Sequence, residues 1–222
     1  MTVKHENERM ILSKGHAAGA LYTILHTVGE ISDDVLSTFY ADGTKLAAHP
    51  TASSFDNIPF GLGSLGHGFP IGCGISISHK RSGREDMTYV LMSDGETNEG
   101  TTWEAAHFAV LHGLDNLIVV IDKNGLQGFG RTSEVLGDTA DARKWAEMGF
   151  AVYERDGHDL DALTDTFVQL RNIRDQRPKL LIAHTVKGKG VPFMEDRLEW
   201  HYRPMTQELF ESAIDHLNRQ LP

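Results

Sequence analysis

The sequence predicts an α/β fold: a doubly wound, mainly parallel sheet flanked by helices. Three observations carry that expectation. Continuous apolar runs at residues 89–92, 117–121 and 180–183 are each bounded by polar turn residues, as strands buried on both faces are. The first two runs are separated by TTWEAAHFAVLHG, which reads as a crossover helix and makes 88–130 a βαβ unit. Strand-like and helix-like segments also alternate along the rest of the chain, the pattern of a parallel sheet whose connections cross its faces.

Taken in order, residues 11–28 (ILSKGHAAGALYTILHTV) place small and then apolar residues at helical spacing, with Gly29 positioned to end the helix. Ser32-Asp33-Asp34 offers a capping oxygen and negative charge at a helix start. That helix is expected to run through Val35, Leu36, Phe39 and Tyr40 to near Asp42-Gly43. A long loop, KLAAHPTASSFDNIPFG, then leads into a glycine-rich stretch from Gly61 to Gly74. Glycine costs about 1 kcal/mol relative to alanine inside a helix, so close helix packing or close approach of a ligand must offset it. HKRSGRED (79–86) reads as a solvated loop.

Beyond the central unit, residues 141–148 read as a short helix and 150–154 as a short strand. Asp156-Gly157-His158-Asp159 forms a turn and cap into a helix over 160–174. Pro178 precedes the strand candidate at 180–183. Gln207, Leu209, Phe210, Ile214 and Leu217 suggest a final amphipathic helix.

Without an internal repeat or a low-complexity linker, one domain over 1–222 is expected. A content of 40% hydrophobic and 23% charged residues is that of an ordinary soluble globular protein. The net charge of −10 argues against nucleic acid as the main partner, because phosphate backbones need a basic face. A small phosphorylated ligand stays open, since a local site overrides net charge. The one cysteine, Cys73, excludes an intrachain disulfide and a cysteine-rich zinc site and fits a reducing compartment. No run approaches membrane-spanning length and the opening MTVKHENERM is too polar for a secretory core. A cytoplasmic location with no membrane contact is therefore expected.

Chemistry concentrates where the central strands end. In such sheets ligands sit off the carboxyl ends of the strands, and both apolar runs finish there in polar clusters, SDGE and DKNG. Asp94 supplies a carboxylate and Asn124 an amide oxygen thirty residues on, an all-oxygen pair suited to Mg²⁺ and phosphate oxygens. Either residue alone would be read as an Asx turn; two matched clusters at neighbouring strand ends favour a metal–diphosphate site. The helix after Asp94 offers amides and a positive dipole end to an anion. Its Glu99 and Glu104 read as surface charge.

Among 12 histidines, His79, His107, His112 and His158 are read as structural or surface residues. His16 in LSKGH, His49 in AAHP and His201 in EWHY lie in loop-like or helix-start contexts that favour function. Histidine there can donate to phosphate or hydroxyl oxygens and exchange protons near neutrality. Lys187, in HTVKGKG after the last strand, is either a phosphate-directed charge or part of a solvated turn. No Walker motif is present.

LSKGHAAGALY, AAHP, GLGSLGHG, SDGETNEG, DKNG, TVKGKG and EWH follow one another in the order found in the N-terminal half of transketolase. Between residues 11 and 203 the chain resembles that family, and most of all its split bacterial type, in which the two halves are separate polypeptides. The resemblance implies a domain for the diphosphate of thiamine diphosphate. By it, Asp94 and Asn124 would ligate Mg²⁺ through side chains and Leu126 through its carbonyl, with Ca²⁺ or Mn²⁺ as substitutes. Gly95 and Asn124 would hold the diphosphate, with Glu96 adjacent. Gly63, Ser64 and Leu65 match a loop that contacts the cofactor rings. His16, Lys187 and His201 match groups near the diphosphate and the reacting carbon. His49 matches a histidine facing substrate hydroxyls, Arg203 stands where the family often has a substrate-binding lysine, and Glu99 and Glu104 match carboxylates near the dimer interface.

Four departures stand out against the resemblance. Ser93 replaces the first glycine of GDG, His67 the glutamine of GSLGQG, and Tyr202 the glycine of EWHG. The family's opening helices, with a further substrate histidine, find no match before residue 11. The resemblance further implies transfer of a two-carbon ketol unit between sugars, a separate C-terminal pyrimidine-domain subunit that activates the cofactor, and a dimer of heterodimers. The chain alone is expected to be inactive. Two other readings stand beside this one: a deoxyxylulose-phosphate synthase-like or 2-oxo acid dehydrogenase-like component, and a non-catalytic interaction protein.

Overall fold

Strand β1 (Arg9–Leu12), a 3₁₀ turn at Gly15–Ala17, helix α1 (Ala18–Thr27) and the one-turn helix α2 (Asp33–Leu36) begin the fold. Helix α3 (Gly68–Arg81) leads to β2 (Thr88–Ser93), then come a 3₁₀ turn at Gly95–Asn98, α4 (Gly100–Leu111) and β3 (Leu117–Lys123). A two-stranded ribbon, β4 (Leu126–Gln127) with β5 (Gly130–Arg131), precedes α5 (Thr132–Val135) and α6 (Ala142–Met148). Strand β6 (Ala151–Asp156), α7 (Leu160–Asn172), β7 (Lys179–His184) and α8 (Gln207–Asn218) complete it. This computed structural model describes residues 8–52, 54, 55, 58 and 60–219. The N-terminal segment 1–7 and, within the expected loop, Ser53, Asp56, Asn57 and Pro59 lie outside the described residues.

The five-stranded sheet has the order β1-β2-β3-β7-β6 and every pairing in it is parallel. Side chains alternate across it. Val90, Met92, Val119, Ile121, Leu180 and Ile182 face one way and join Phe69, Ala105, Ala109 and Trp145 of α3, α4 and α6. Ile118 and Leu181 face the other way and pack with Leu170 of α7, flanked by Phe167 and Tyr89. Helices thus cover both faces, as the apolar runs predicted. The chain moves outward from β1 to β6 and turns back into β7, and that reversal places α7 on the opposite face from α4. Each fully buried aliphatic residue in these layers contributes roughly 1.5–3 kcal/mol.

Within α3, two glycines of the glycine-rich stretch serve close packing. A Cβ on Gly72 would run into Val90 Cγ2, and one on Gly68 into Ser13. Glycine lets α3 lie against the sheet more closely than any side chain would allow.

Five boundaries differ from expectation. Residues 11 and 12 belong to β1, not to the first helix, because Ile11 and Leu12 pair with Val90 and Leu91. The second helix stops at Leu36 rather than near residue 42; Tyr40 takes a φ of 65°, which no right-handed helix accommodates. His79, Lys80 and Arg81 end α3 instead of lying in a solvated loop, and His79 is buried with Nδ1 3.3 Å from the Asp86 carbonyl. The short strand runs two residues past 154, and the following helix ends two residues before 174. The two caps read from sequence, at Ser32 and Asp159, are formed, each accepting an amide of the first turn, and Asp141 and Thr206 do the same for α6 and α8.

Candidate active site

All parallel strands deliver their carboxyl ends to one side of the sheet, where a cleft of about 790 Å³ opens. Its walls come from the loops after β1 (Lys14, His16), β2 (Ser93, Gly95), β3 (Asn124, Leu126) and β7 (Thr185, Lys187). His201, from the 3₁₀ turn Leu198–His201, closes one end.

Asp94 is almost fully buried beneath this cleft. Its Oδ1 accepts the Gly95 amide at 2.9 Å and its Oδ2 the Gly125 amide at 2.7 Å. The second bond joins the β2 end to the DKNG turn, so Asp94 and Asn124 come together as expected. Loss of hydration pushes the Asp94 carboxyl above its ordinary range, and nearby Asp122 adds to this against the two amides. Asn124 Oδ1 accepts the Leu126 amide at 3.0 Å. The Asx turn at Asn124 is therefore real, whereas Asp94 bonds the adjacent Gly95 amide, the Gly125 amide and, at 3.4 Å, the Thr132 hydroxyl; Asp94 Oδ1 and Asn124 Oδ1 each keep a further lone pair, so structural and ligating roles coexist here. A buried carboxylate with an amide oxygen and no nitrogen or sulfur donor fits Mg²⁺, Ca²⁺ or Mn²⁺. Gly95 leaves no room for a side chain: its Cβ would stand 2.9 Å from Gln127 Cβ.

Glu96 does more than neighbour the motif. It is fully buried, accepting the Ser13 hydroxyl and the Gly66 amide, the latter at 2.8 Å. It thus ties the loop after β1 and the Gly63-Ser64-Leu65 loop to the end of β2. Burial raises its carboxyl above the ordinary range despite those bonds. Leu65 reaches the cleft wall, Gly63 lies under His49, whose Cδ2 would be 3.2 Å from a Cβ there, and Ser64 is exposed.

Opposite Asp94 the cleft is cationic. The rings of His16 and His201 lie 5.7 Å apart. Although His16 keeps solvent access, withdrawal from bulk water, then the charges of Lys14, His201, Lys187 and His49, lower it from 6.5 to about 4. Loss of hydration and then Lys14 lower Lys187; loss of hydration and then Lys187 lower His201. His201 Nδ1 is buried without a hydrogen-bond partner. Lys14 and Lys187, beside two histidines of depressed basicity, one with an unpaired ring nitrogen, form a wall suited to a polyanion.

Several expected residues stand apart from this centre. Arg203 places its guanidinium over the Trp200 ring, 5.1 Å from the centroid, and does not line the cleft. Glu99 lies at the cleft rim, and Glu104 is exposed on α4. His67 is exposed, with Nδ1 3.1 Å from the Leu65 carbonyl.

Other participants escaped the sequence reading. Lys14 pairs with Asp122, whose carboxylate also accepts Thr185 Oγ1. Burial alone would raise the Asp122 carboxyl, but Lys14 and its hydrogen bonds hold it below the ordinary range. The signal lay inside the motifs LSKGH and DKNG, at residues other than the histidine and the asparagine. His158, read as structural or surface, lines the cleft and accepts the Val186 amide at 2.8 Å, steadying the residue next to Lys187.

The family model described as "Transketolase, thiamine diphosphate binding domain" matches residues 3–218. The chain belongs to the transketolase family. Among its relatives, an apulose-4-phosphate transketolase subunit of Actinobacillus succinogenes is 38% identical over 215 residues, covering 97% of this chain and 77% of the relative. The 6-deoxy-6-sulfo-D-fructose transketolase subunit SqwG of Clostridium sp. is 33% identical, with 97% and 78% covered. The crystal structure of transketolase from Campylobacter jejuni superposes with a TM-score of 0.87 at 27% identity, over 95% of this chain. This transketolase-family chain spans 34% of that enzyme's length. The fold expected from the motifs and the domain named by the family model agree.

Proposed function

We propose that this chain is the thiamine diphosphate-binding subunit of a two-subunit transketolase-type enzyme that moves a two-carbon ketol unit between sugars. The observation that carries the reading is the two-sided cleft, with the buried Asp94–Asn124 oxygen pair on one wall and His16, Lys187 and His201 on the other. Relatives that are themselves named as transketolase subunits support a separate partner polypeptide. Thiamine diphosphate, when bound, supplies the electron sink that lets a carbon–carbon bond beside a carbonyl break and re-form.

The roles proposed for this chain's residues follow from their positions. Asp94 and Asn124, with the Leu126 carbonyl, would hold Mg²⁺, and Gly95 lets backbone approach the diphosphate. Lys187 would balance phosphate charge, with His16 close to it. Unprotonated histidines at 16 and 201 can each offer one N–H and one lone pair to oxygens of cofactor and sugar. His49, exposed beside Gly63, would meet substrate hydroxyls. Gly63, Ser64 and Leu65 would border the cofactor rings, while Glu96 supports that loop from beneath. Arg203 would reach substrate only by leaving Trp200. Glu99 and Glu104 would face partner subunits in a dimer of heterodimers, in the cytoplasm.

Co-expression with candidate pyrimidine-domain subunits, followed by assay of the purified pair against a panel of ketose donors and aldose acceptors, tests the proposal. The pair should show transfer that requires both thiamine diphosphate and Mg²⁺, and the chain alone should show none. Turnover by the chain alone would refute the two-subunit reading.

A further inference from the structure

An exposed ion pair bridges the Asp94 side of the cleft and the His201 side. Arg131 ends the β4–β5 ribbon, in register with Leu126 at its start. The next residue, Thr132, returns to the loops beneath Asp94. Its amide donates to the Gly125 carbonyl at 3.0 Å and its hydroxyl to Asp94 Oδ2 at 3.4 Å. Arg131 reaches the other way and donates twice to Asp196, Nη1 to Oδ1 at 3.1 Å and Nη2 to Oδ2 at 2.6 Å.

Asp196 lies in the segment 188–203, which carries His201. Bonds within the segment and to its root fold it on itself: the Asp196 amide donates to the Lys187 carbonyl at 3.0 Å, and Trp200 Nε1 to the Phe193 carbonyl at 2.7 Å. Asp196 turns the chain with a φ of 52°, which asparagine or glycine takes as readily. What aspartate adds is the carboxylate that faces Arg131. His201 depends on this path. Its buried Nδ1 has no hydrogen-bond partner among the described residues, so the ring is placed by its backbone and by the neighbouring rings of His16 and Tyr202. The Tyr202 hydroxyl occupies the space that Gly128, in the turn of the ribbon, leaves open. The segment therefore meets the ribbon at residues 131 and 128.

We propose that Arg131 and Asp196 are positioning residues that pin the His201 segment to the ribbon and so set His201 across the cleft from Asp94. The inference rests on the functional reading of the cleft and adds a pair that touches neither cofactor nor substrate. A two-bond fork fixes orientation more tightly than one contact does. Both side chains are about half exposed, so the pair biases the segment locally and adds little to global stability.

The test uses Arg131→Met, Asp196→Asn (which keeps a residue suited to the turn) and the double variant. In the chain alone, hydrogen exchange over 190–203 should rise about two- to fivefold in each, with the double variant no faster than the faster single one. Exchange over β3 and β7 should not change, which shows that the fold is intact. Proton NMR signals of the His201 ring, identified by their loss in His201→Asn, should move in all three variants, while those of His79 stay in place. In the pair reconstituted with its partner subunit, kcat should fall at least about fivefold with thiamine diphosphate affinity held within about twofold. Unchanged exchange and unchanged His201 signals in both single variants, additive effects in the double variant, or full kcat despite a loosened segment would overturn the inference. Absence of transfer by the unsubstituted pair would overturn the functional reading instead, and exchange and NMR would still decide whether Arg131 and Asp196 place His201.

Discussion

Ser93 and Glu96 hold each other twice. The Ser93 hydroxyl accepts the Glu96 amide at 3.1 Å, and the Ser93 amide donates to Glu96 Oε2 at 3.4 Å. This reciprocal pair is a capping box on the 3₁₀ turn that follows β2. A glycine at 93, as in the motif this chain departs from, has no hydroxyl to contribute. The serine therefore adds support on the cleft side of the sheet while leaving the adjacent Asp94 bonds intact. Ser93→Ala is expected to lower unfolding free energy by about 1 kcal/mol, as loss of a capping side chain does. Glu96→Ala is expected to cost about 2–4 kcal/mol, because it also strands the Ser13 hydroxyl and the Gly66 amide in the interior. Urea denaturation of the three proteins measures both; equal stabilities for the two variants would contradict this division of roles.

Two glycines of α3 offer a sharper contrast. Gly72 faces Val90 on β2, whereas nothing stands within 4 Å of a Cβ at Gly74. Gly72→Ala is expected to destabilise by about 1–3 kcal/mol through overpacking. Gly74→Ala is expected to stabilise by roughly 0.5–1 kcal/mol through helix propensity alone. Opposite signs in thermal or denaturant unfolding are the test, and the same sign for both would show that packing is not what fixes the first.

What the sequence made legible follows a physical line. Strands buried on both faces write themselves as apolar runs, so β2, β3 and β7 could be read directly. Edge strand β1 could not, because Ile11 and Leu12 are only two buried residues adjoining a helical pattern. The carboxylate and amide at the ends of β2 and β3 were visible because turn residues cluster there. The Lys14–Asp122 pair spans 108 positions and depends on β1 lying beside β2, which lies beside β3. A register of that kind leaves no local trace. Arg203 shows the converse: its motif position suggested substrate, but the neighbouring Trp200 ring offers the guanidinium a nearer partner.

His16 ties the cleft to pH. With its basicity lowered from 6.5 to about 4, the folded chain binds fewer protons than the unfolded chain between those values. Stability from this group is thus complete above about 6.5 and lost progressively as pH falls through that window. Solvent reaches the ring, so the effect is expected in direction and to be partly screened. Proton NMR of the imidazole in the cofactor-free chain should show His16 neutral at pH 6, with a midpoint near 4. Adding pyrophosphate should move that midpoint upward, because an anion offsets the neighbouring positive charges. A midpoint at or above 6 before any anion is added would mean the cationic cluster is not assembled as described.

Tyr202 bears on which sugars the cleft accepts. Its ring stands 4.7 Å from that of His201, its hydroxyl lies against Gly128, and the residue is 71% exposed along the cleft. A glycine there would leave His201 uncovered on that side and widen the entrance. Tyr202 contributes no core packing, so Tyr202→Gly should fold normally, with a melting temperature close to that of the parent. In the reconstituted pair, the ratio of kcat/KM for a bulky ketose donor to that for a compact one should rise about tenfold. That is the scale on which one added or removed contact group discriminates between substrates. The change should appear mainly in KM, because the substitution opens the entrance and leaves the side chain of His201 and the metal ligands themselves unaltered. A ratio unchanged within twofold, or an equal fall for both donors, would assign Tyr202 to support of His201 instead of substrate choice.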